Sequence, residues 1–152
     1  MSRAFVNEDA LVEDVVDRPI SPHPNYVTAH GLALIDQALE AARHAYGSAQ
    51  IKGDRSELAK AASDLRYWSA RRTSARVLTP APERATVQFG STVTIRRDGG
   101  QQTFQIVGED EADPPSGKIS YVSPLARAVM NMAAGETTAF GAGDLEVMEI
   151  VA

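Results

Sequence analysis

The sequence predicts an α+β chain: an antiparallel helical hairpin (a short coiled coil) followed by an antiparallel β-sheet domain with one helix. Three observations predict it. Apolar residues recur at spacings of three and four from Leu32 to Tyr46, and again from Leu58 to Ala75, which is the helical period. Thr79-Pro80-Ala81-Pro82 then ends any helix, because proline cannot continue one. Beyond that stop the apolar period falls to two, the period of a half-buried strand.

Residues 1–27 hold Pro19, Pro22 and Pro24 without sustained periodicity. X-Pro steps favour extended backbone, so this stretch reads as an extended or disordered arm. Thr28 suits the N-cap of a helix starting at Ala29. Leu32, Ile35, Leu39, Ala42 and Tyr46 make its apolar stripe; Gly47 and Ser48 break the pattern, and Gly53 closes the turn. A second stripe runs through Leu58, Ala61, Leu65, Trp68 and Ala75, interrupted by Arg72. Two stripes joined by a short polar turn predict a hairpin over residues 28–77, with a stiff linker over 78–85.

Residues 86–152 form the β-rich domain. Val87–Phe89 and Val93–Ile95 read as strand material, and Asp98-Gly99-Gly100 as a hairpin turn into Thr103–Val107. Ile119–Val122 is a further strand. Ser123 as N-cap and Pro124 at the first helical position start a short helix, with Leu125, Ala128, Val129 and Met132 as its stripe and Gly135 as its end. Thr137–Phe140 and Leu145–Ile150 finish the sheet around the Gly141–Asp144 turn.

Composition bounds the function. The 152 residues include no cysteine, which excludes disulfides, thiolate metal sites and cysteine nucleophiles. No run approaches the apolar length of a membrane span, and the opening MSRAFVNEDA lacks the basic start and apolar core of a secretory signal. A cytoplasmic protein is expected. The net charge of −5 hides an uneven distribution: residues 1–27 carry −3, residues 28–77 carry +3 and residues 78–152 carry −5. A basic middle suits work near nucleic acid, whereas the acidic total argues against a general DNA coat.

The side chains that carry chemistry are few. Asp54 and Glu57 stand three apart at a helix start, the spacing of a capping box. Arg66, Arg71, Arg72 and Arg76, with Lys60, lie along the second helix and read as a solvated basic face or as a nucleic-acid contact, which charge alone does not tell apart. The acidic run Glu109–Asp113 lacks the spacing of a calcium loop and reads as a solvated loop. His23, His30 and His44 show no zinc spacing and no catalytic triad. Gly141-Ala142-Gly143 reads as a turn rather than a phosphate loop.

Several motifs resemble one family. VQFGSTVTI (87–95), FQIVGEDEAD (104–113) and KISYVSPLARA (118–128) resemble, in order and spacing, the C-terminal domain of the GreA/GreB transcript cleavage factors. Gly53-Asp54-Arg55-Ser56-Glu57 resembles the family's acidic GDxxE tip, and SRAF with SPHPNYVT resembles the arm of some Gre-like proteins. The resemblance implies an FKBP-like fold for the C-terminal domain, in which Ser123, Pro124 and Arg127 face RNA polymerase at the rim of its secondary channel. It implies that Asp54 and Glu57 serve catalysis by helping to hold the polymerase's weakly bound Mg²⁺ and orienting the water that hydrolyses backtracked RNA. It implies too that Arg66, Arg71 and Arg72 contact nucleic acid or the polymerase, so the chain could touch the nascent RNA 3′ end; it would hold no stable metal and no cofactor of its own, and would not be an enzyme alone. A monomer is assumed.

The chain also departs from the family. Leu58 stands where Asn is typical, Lys60-Ala61 replace an acidic-aromatic pair, and Val122 replaces Asp or Asn. Each arm of the hairpin is shorter by roughly eight to ten residues, about 12–15 Å of reach. The related regulator of nucleoside diphosphate kinase, also short in the hairpin, supplies an alternative: a non-cleaving regulator or competitor in the same channel. An enzyme alternative follows from the implied fold, because FKBP-like domains include prolyl isomerases with aromatic pockets. Phe89, Phe104, Tyr121 and Phe140 are the aromatics that alternation places in the core.

Overall fold

The computed structural model describes residues 16–152. The chain divides into two compact units. One joins residues 16–24 with Ala33–Ala75, and the other joins Asn25–Leu32 with Arg76–Ala152. The part of the predicted arm before residue 16 lies outside the described residues.

The first unit is the hairpin of α1 (Ala29–Lys52, whose first turn belongs to the second unit) and α2 (Arg55–Ser74). Ile35, Leu39, Ala42 and Ala49 are the buried stripe of α1. The expected break at Gly47-Ser48 does not occur, and α1 runs through both. The stripe steps from Tyr46 to Ala49 across them, so packing on either side outweighs the roughly 1 kcal/mol by which glycine disfavours a helix. Gly53 then stops the helix at φ 70°, a left-handed conformation that L side chains rarely adopt. Its N–H bonds Ala49 O at 2.9 Å and the Asp54 N–H bonds the same carbonyl at 3.3 Å, so two residues suffice to reverse the chain. The α2 stripe is less apolar than predicted, with Ala61, Ser63 and Arg71 as its buried residues.

In the second unit, β1 (Tyr26–Val27) pairs in parallel with β2 (Arg76–Val77). Arg76 N–H donates to Asn25 O at 2.9 Å and Leu78 N–H to Val27 O at 3.0 Å. Residues assigned by the sequence to the arm are therefore paired strand. The main sheet holds β3 (Thr92–Arg97), β4 (Gly100–Val107), β5 (Lys118–Ser120), β6 (Thr137–Phe140) and β7 (Gly143–Val151) in the order β5-β4-β3-β7-β6. Asp98 and Gly99, at φ 52° and 75°, form the predicted turn between β3 and β4. The sheet is not wholly antiparallel. β4 and β5 run in parallel, with Gln105 opposite Lys118, because the intervening loop of residues 108–117 returns the chain before β5 begins.

Alternation decides the core: Val93 and Ile95, Phe104 and Ile106, Leu145 and Val147 all point to one face. The register shifts between Thr94 and Ile95, which face Glu149 and Val147, leaving Met148 as a bulge. The same face is covered by α3 (Pro124–Val129), Val87 and Met132. Val87 is not in a strand; its N–H and C=O bond Met132 O and Asn131 N–H. α3 ends at Val129 rather than near Gly135, because Asn131 at φ 67° turns Met132 back toward the core. No helix among the described residues is long and apolar enough to cross a membrane.

Candidate functional site

The predicted acidic pair sits at the hairpin tip. Asp54 is the N-cap of α2, and its Oδ1 accepts from the Glu57 N–H at 3.1 Å. The capping box is one-sided, since the Asp54 N–H bonds Ala49 O instead. Glu57 Oε2 stands 3.9 Å from Lys52 Nζ, both side chains more than half exposed. Beside Glu57, a cleft of about 280 Å³ between α1 and α2 is lined by His44, Ser48, Lys52, Lys60 and Asp64 among others. The pair is solvent-facing, with one Asp54 oxygen engaged in the cap and Lys52 at the margin of ion-pair distance from Glu57.

The basic residues of α2 do not form an open face. Arg71 is buried at 1% exposure, so it is not available as a surface contact. Arg72 Nε donates to Asp36 Oδ1 at 2.6 Å, which ties α2 to α1. Arg66 grips Asp17 with two bonds, Nε to Oδ2 at 2.8 Å and Nη2 to Oδ1 at 2.7 Å. The Arg66 hydrogen bond, followed by one from Ser63, holds Asp17 below the ordinary aspartate value, and Asp17 in turn raises Arg66. Lys60 pairs with Asp64 at 3.1 Å. Trp68, predicted as core, is half-buried, with Tyr67 edge-on to it at 4.9 Å and the Arg18 guanidinium 3.8 Å from the Tyr67 ring centre. Asp17 and Arg18 were missed by sequence reasoning. Their partners Arg66 and Tyr67 lie 49 residues away in sequence, so no local pattern pointed to them.

The Glu109–Asp113 run is not the expected solvated loop. Glu111 is buried, with Oε1 accepting from Thr28 Oγ1 at 2.5 Å and Oε2 lying 3.4 Å from Lys118 Nζ. Thr28 caps α1 as predicted, its Oγ1 accepting from the Gly31 N–H at 2.9 Å. Gly108 packs so closely under Tyr26 that a Cβ there would overlap the Tyr26 carbonyl oxygen.

Ser123 caps α3, accepting from the Ala126 N–H at 3.3 Å, and Pro124 occupies the first turn. Pro124 and Arg127 are exposed, so they are open to a partner. Of the four aromatics named for an isomerase pocket, Phe104 is core and Phe89, Tyr121 and Phe140 are partly buried against the same core. Tyr26 meets Phe89 edge-on at 6.2 Å and Tyr121 at a tilt at 5.4 Å, and the Arg97 guanidinium lies over the Phe140 ring. Among the described residues no three His, Asp or Glu side chains cluster to hold a metal ion.

Residues 81–152 match the family model for the C-terminal domain of the transcription elongation factors GreA and GreB. A transcription elongation factor GreA of Maricaulis maris is 48% identical over 69 residues, which cover 43% of this chain and 44% of that protein. A transcription elongation factor GreB of Neisseria meningitidis is 38% identical over 93 residues, 57% of each. The chain thus spans about half the length of the curated relatives it matches. A solved prokaryotic GreA/GreB factor from Nitrosomonas europaea aligns with 84% of this chain and 99% of its own at 18% identity and a TM-score of 0.42. Residues 81–152 of this chain are thus similar to the C-terminal domain of the GreA/GreB transcription elongation factors.

Proposed function

We propose that this chain binds RNA polymerase at the rim of the secondary channel and stimulates cleavage of backtracked RNA through Asp54 and Glu57. The observation that carries this reading is a solvent-facing carboxylate pair at a hairpin tip, in a chain whose residues 81–152 are similar to the GreA/GreB C-terminal domain. Two carboxylates are too few to hold magnesium alone, which takes a few carboxylates together with waters and phosphate oxygens. They fit an ion whose remaining ligands come from the polymerase and the RNA. That ion would stabilise the attacking and leaving oxygens; the chain's part is to bring the two carboxylates and orient a water. On this reading it is a cofactor of another enzyme's hydrolysis, acts in the cytoplasm, and can approach the nascent RNA 3′ end. Exposed Pro124 and Arg127, set by the Ser123 cap, are the proposed rim contacts.

A second reading has its own support. Helices of 24 and 20 residues span about 36 and 30 Å. Asp54 is partly engaged in capping, and Lys52 stands at the margin of ion-pair distance from Glu57. A hairpin so short, with one tip oxygen already engaged, favours a regulator that occupies the channel without cleaving. The test is to add the wild-type chain to backtracked complexes of the cognate polymerase and follow both binding and release of short 3′ RNA. Release above the factor-free rate supports cleavage; binding without release supports the second reading; no binding overturns both.

A further inference from the structure

We propose that Asp17 and Arg18 form a reversible strap across one face of α2, and that the strap leaves when RNA polymerase takes that face. The second half rests on the polymerase reading above. Two consecutive residues of the strap meet two consecutive residues of the helix. The Asp17 carboxylate fills the Arg66 fork through both oxygens, and the Arg18 guanidinium lies 3.8 Å from the Tyr67 ring centre and 5.3 Å from that of Trp68.

These contacts lie on the surface. Residues 16–20 are all exposed, and the Arg66 and Asp17 side chains keep 59% and 51% of their accessible area. Water and salt therefore reach the pair, and such pairs contribute little to holding a fold. What they do achieve is cover: a planar cation fork suited to two oxygens, beside an aromatic pair suited to a flat cation. The present occupant is a peptide carboxylate followed by a guanidinium, so the replacement that fits is an acidic peptide surface of the polymerase. Arg66 to Trp68 lie twelve to fourteen residues beyond Asp54, about 18–21 Å along α2. A hairpin inserted in a channel would bring this stretch against the wall, where a strap alongside α2 stands in the way.

Trp68 is the only tryptophan, so its accessibility to acrylamide reports the strap directly. The double variant Asp17→Ala/Arg18→Ala, with helix content checked by circular dichroism, is compared with wild type for quenching and for affinity to cognate core polymerase. The expected result is quenching raised about twofold and polymerase binding tightened about threefold or more, as when a competent state becomes more populated. Adding Arg66→Ala to the double variant should cancel the gain in affinity without restoring protection of Trp68. Unchanged quenching would mean that no strap exists. Raised quenching with unchanged polymerase affinity would overturn the inhibitory role, as would a gain confined to a short single-stranded RNA. Raised quenching with no polymerase binding by either protein would overturn the polymerase half together with the reading on which it rests, while the fluorescence would still have registered the strap.

Discussion

Thr28 Oγ1 donates to Glu111 Oε1 at 2.5 Å while accepting from the Gly31 N–H at 2.9 Å. One hydroxyl thus closes the first turn of α1 and satisfies a buried carboxylate 83 residues away in sequence. Lys118, at 3.4 Å, supplies the compensating charge. Thr28→Ala removes the cap and leaves a Glu111 oxygen without its donor, so a loss of about 2–4 kcal/mol is expected in urea unfolding. Thr28→Ser should retain most of it. A loss under about 0.5 kcal/mol for Thr28→Ala would show that water replaces the hydroxyl.

Gly108 is required by the approach of Tyr26 rather than by its own dihedral angles. Gly108→Ala should destabilise by about 1–3 kcal/mol, the usual range for overpacking. Gly47→Ala has open space and should stabilise α1 by up to about 1 kcal/mol. Thermal denaturation of the two variants side by side checks both, and equal melting temperatures would contradict the packing account.

Arg71 and Arg72 are neighbours with opposite expected effects. Arg71 is buried, so Arg71→Ala should cost about 3 kcal/mol of stability, in the range for breaking buried polar or charged contacts. Arg72→Ala breaks an exposed pair with Asp36 and should cost under about 1 kcal/mol. Chemical denaturation measures both, and equal losses would mean that the burial of Arg71 does not set its contribution.

The strap has a defined pH dependence. Asp17 is held below its ordinary value by the Arg66 hydrogen bond and then by Ser63. A depressed carboxylate contributes above its unfolded pKa and loses that contribution as pH falls through the folded one. Trp68 quenching should therefore stay flat between about pH 5 and pH 8 and rise only below about pH 4, the ordinary aspartate range. A rise centred near pH 6 would assign the contact to another group.

Much of the fold was legible from local pattern. The turns at Gly53 and Asp98-Gly99, the caps at Thr28, Asp54 and Ser123, and the alternation at Val93–Ile95 all depend on residues close in sequence. What escaped depended on distance. Glu111 reads as a loop acid until Thr28 and Lys118 are brought to it, and Arg71 reads as a surface cation until the fold buries it. The parallel pairing of β5 escaped for the same reason, since direction is set by the return path of the 108–117 loop rather than by any residue in the strand. The acidic tip was legible as chemistry, but the approach of Lys52 needed the Gly53 turn to place the lysine near Glu57.

The central claim is that the Asp54 and Glu57 carboxylates are this chain's contribution to RNA cleavage. Asp54→Asn/Glu57→Gln removes both charges while asparagine keeps the cap of α2. The most direct measurement is the cleavage rate of 5′-labelled RNA in backtracked complexes of the cognate polymerase, with wild type, this variant or no factor, at matched polymerase occupancy. The account predicts stimulation by wild type and a rate at the factor-free level for the variant. Stimulation by both alike, or by neither while both bind, would contradict it.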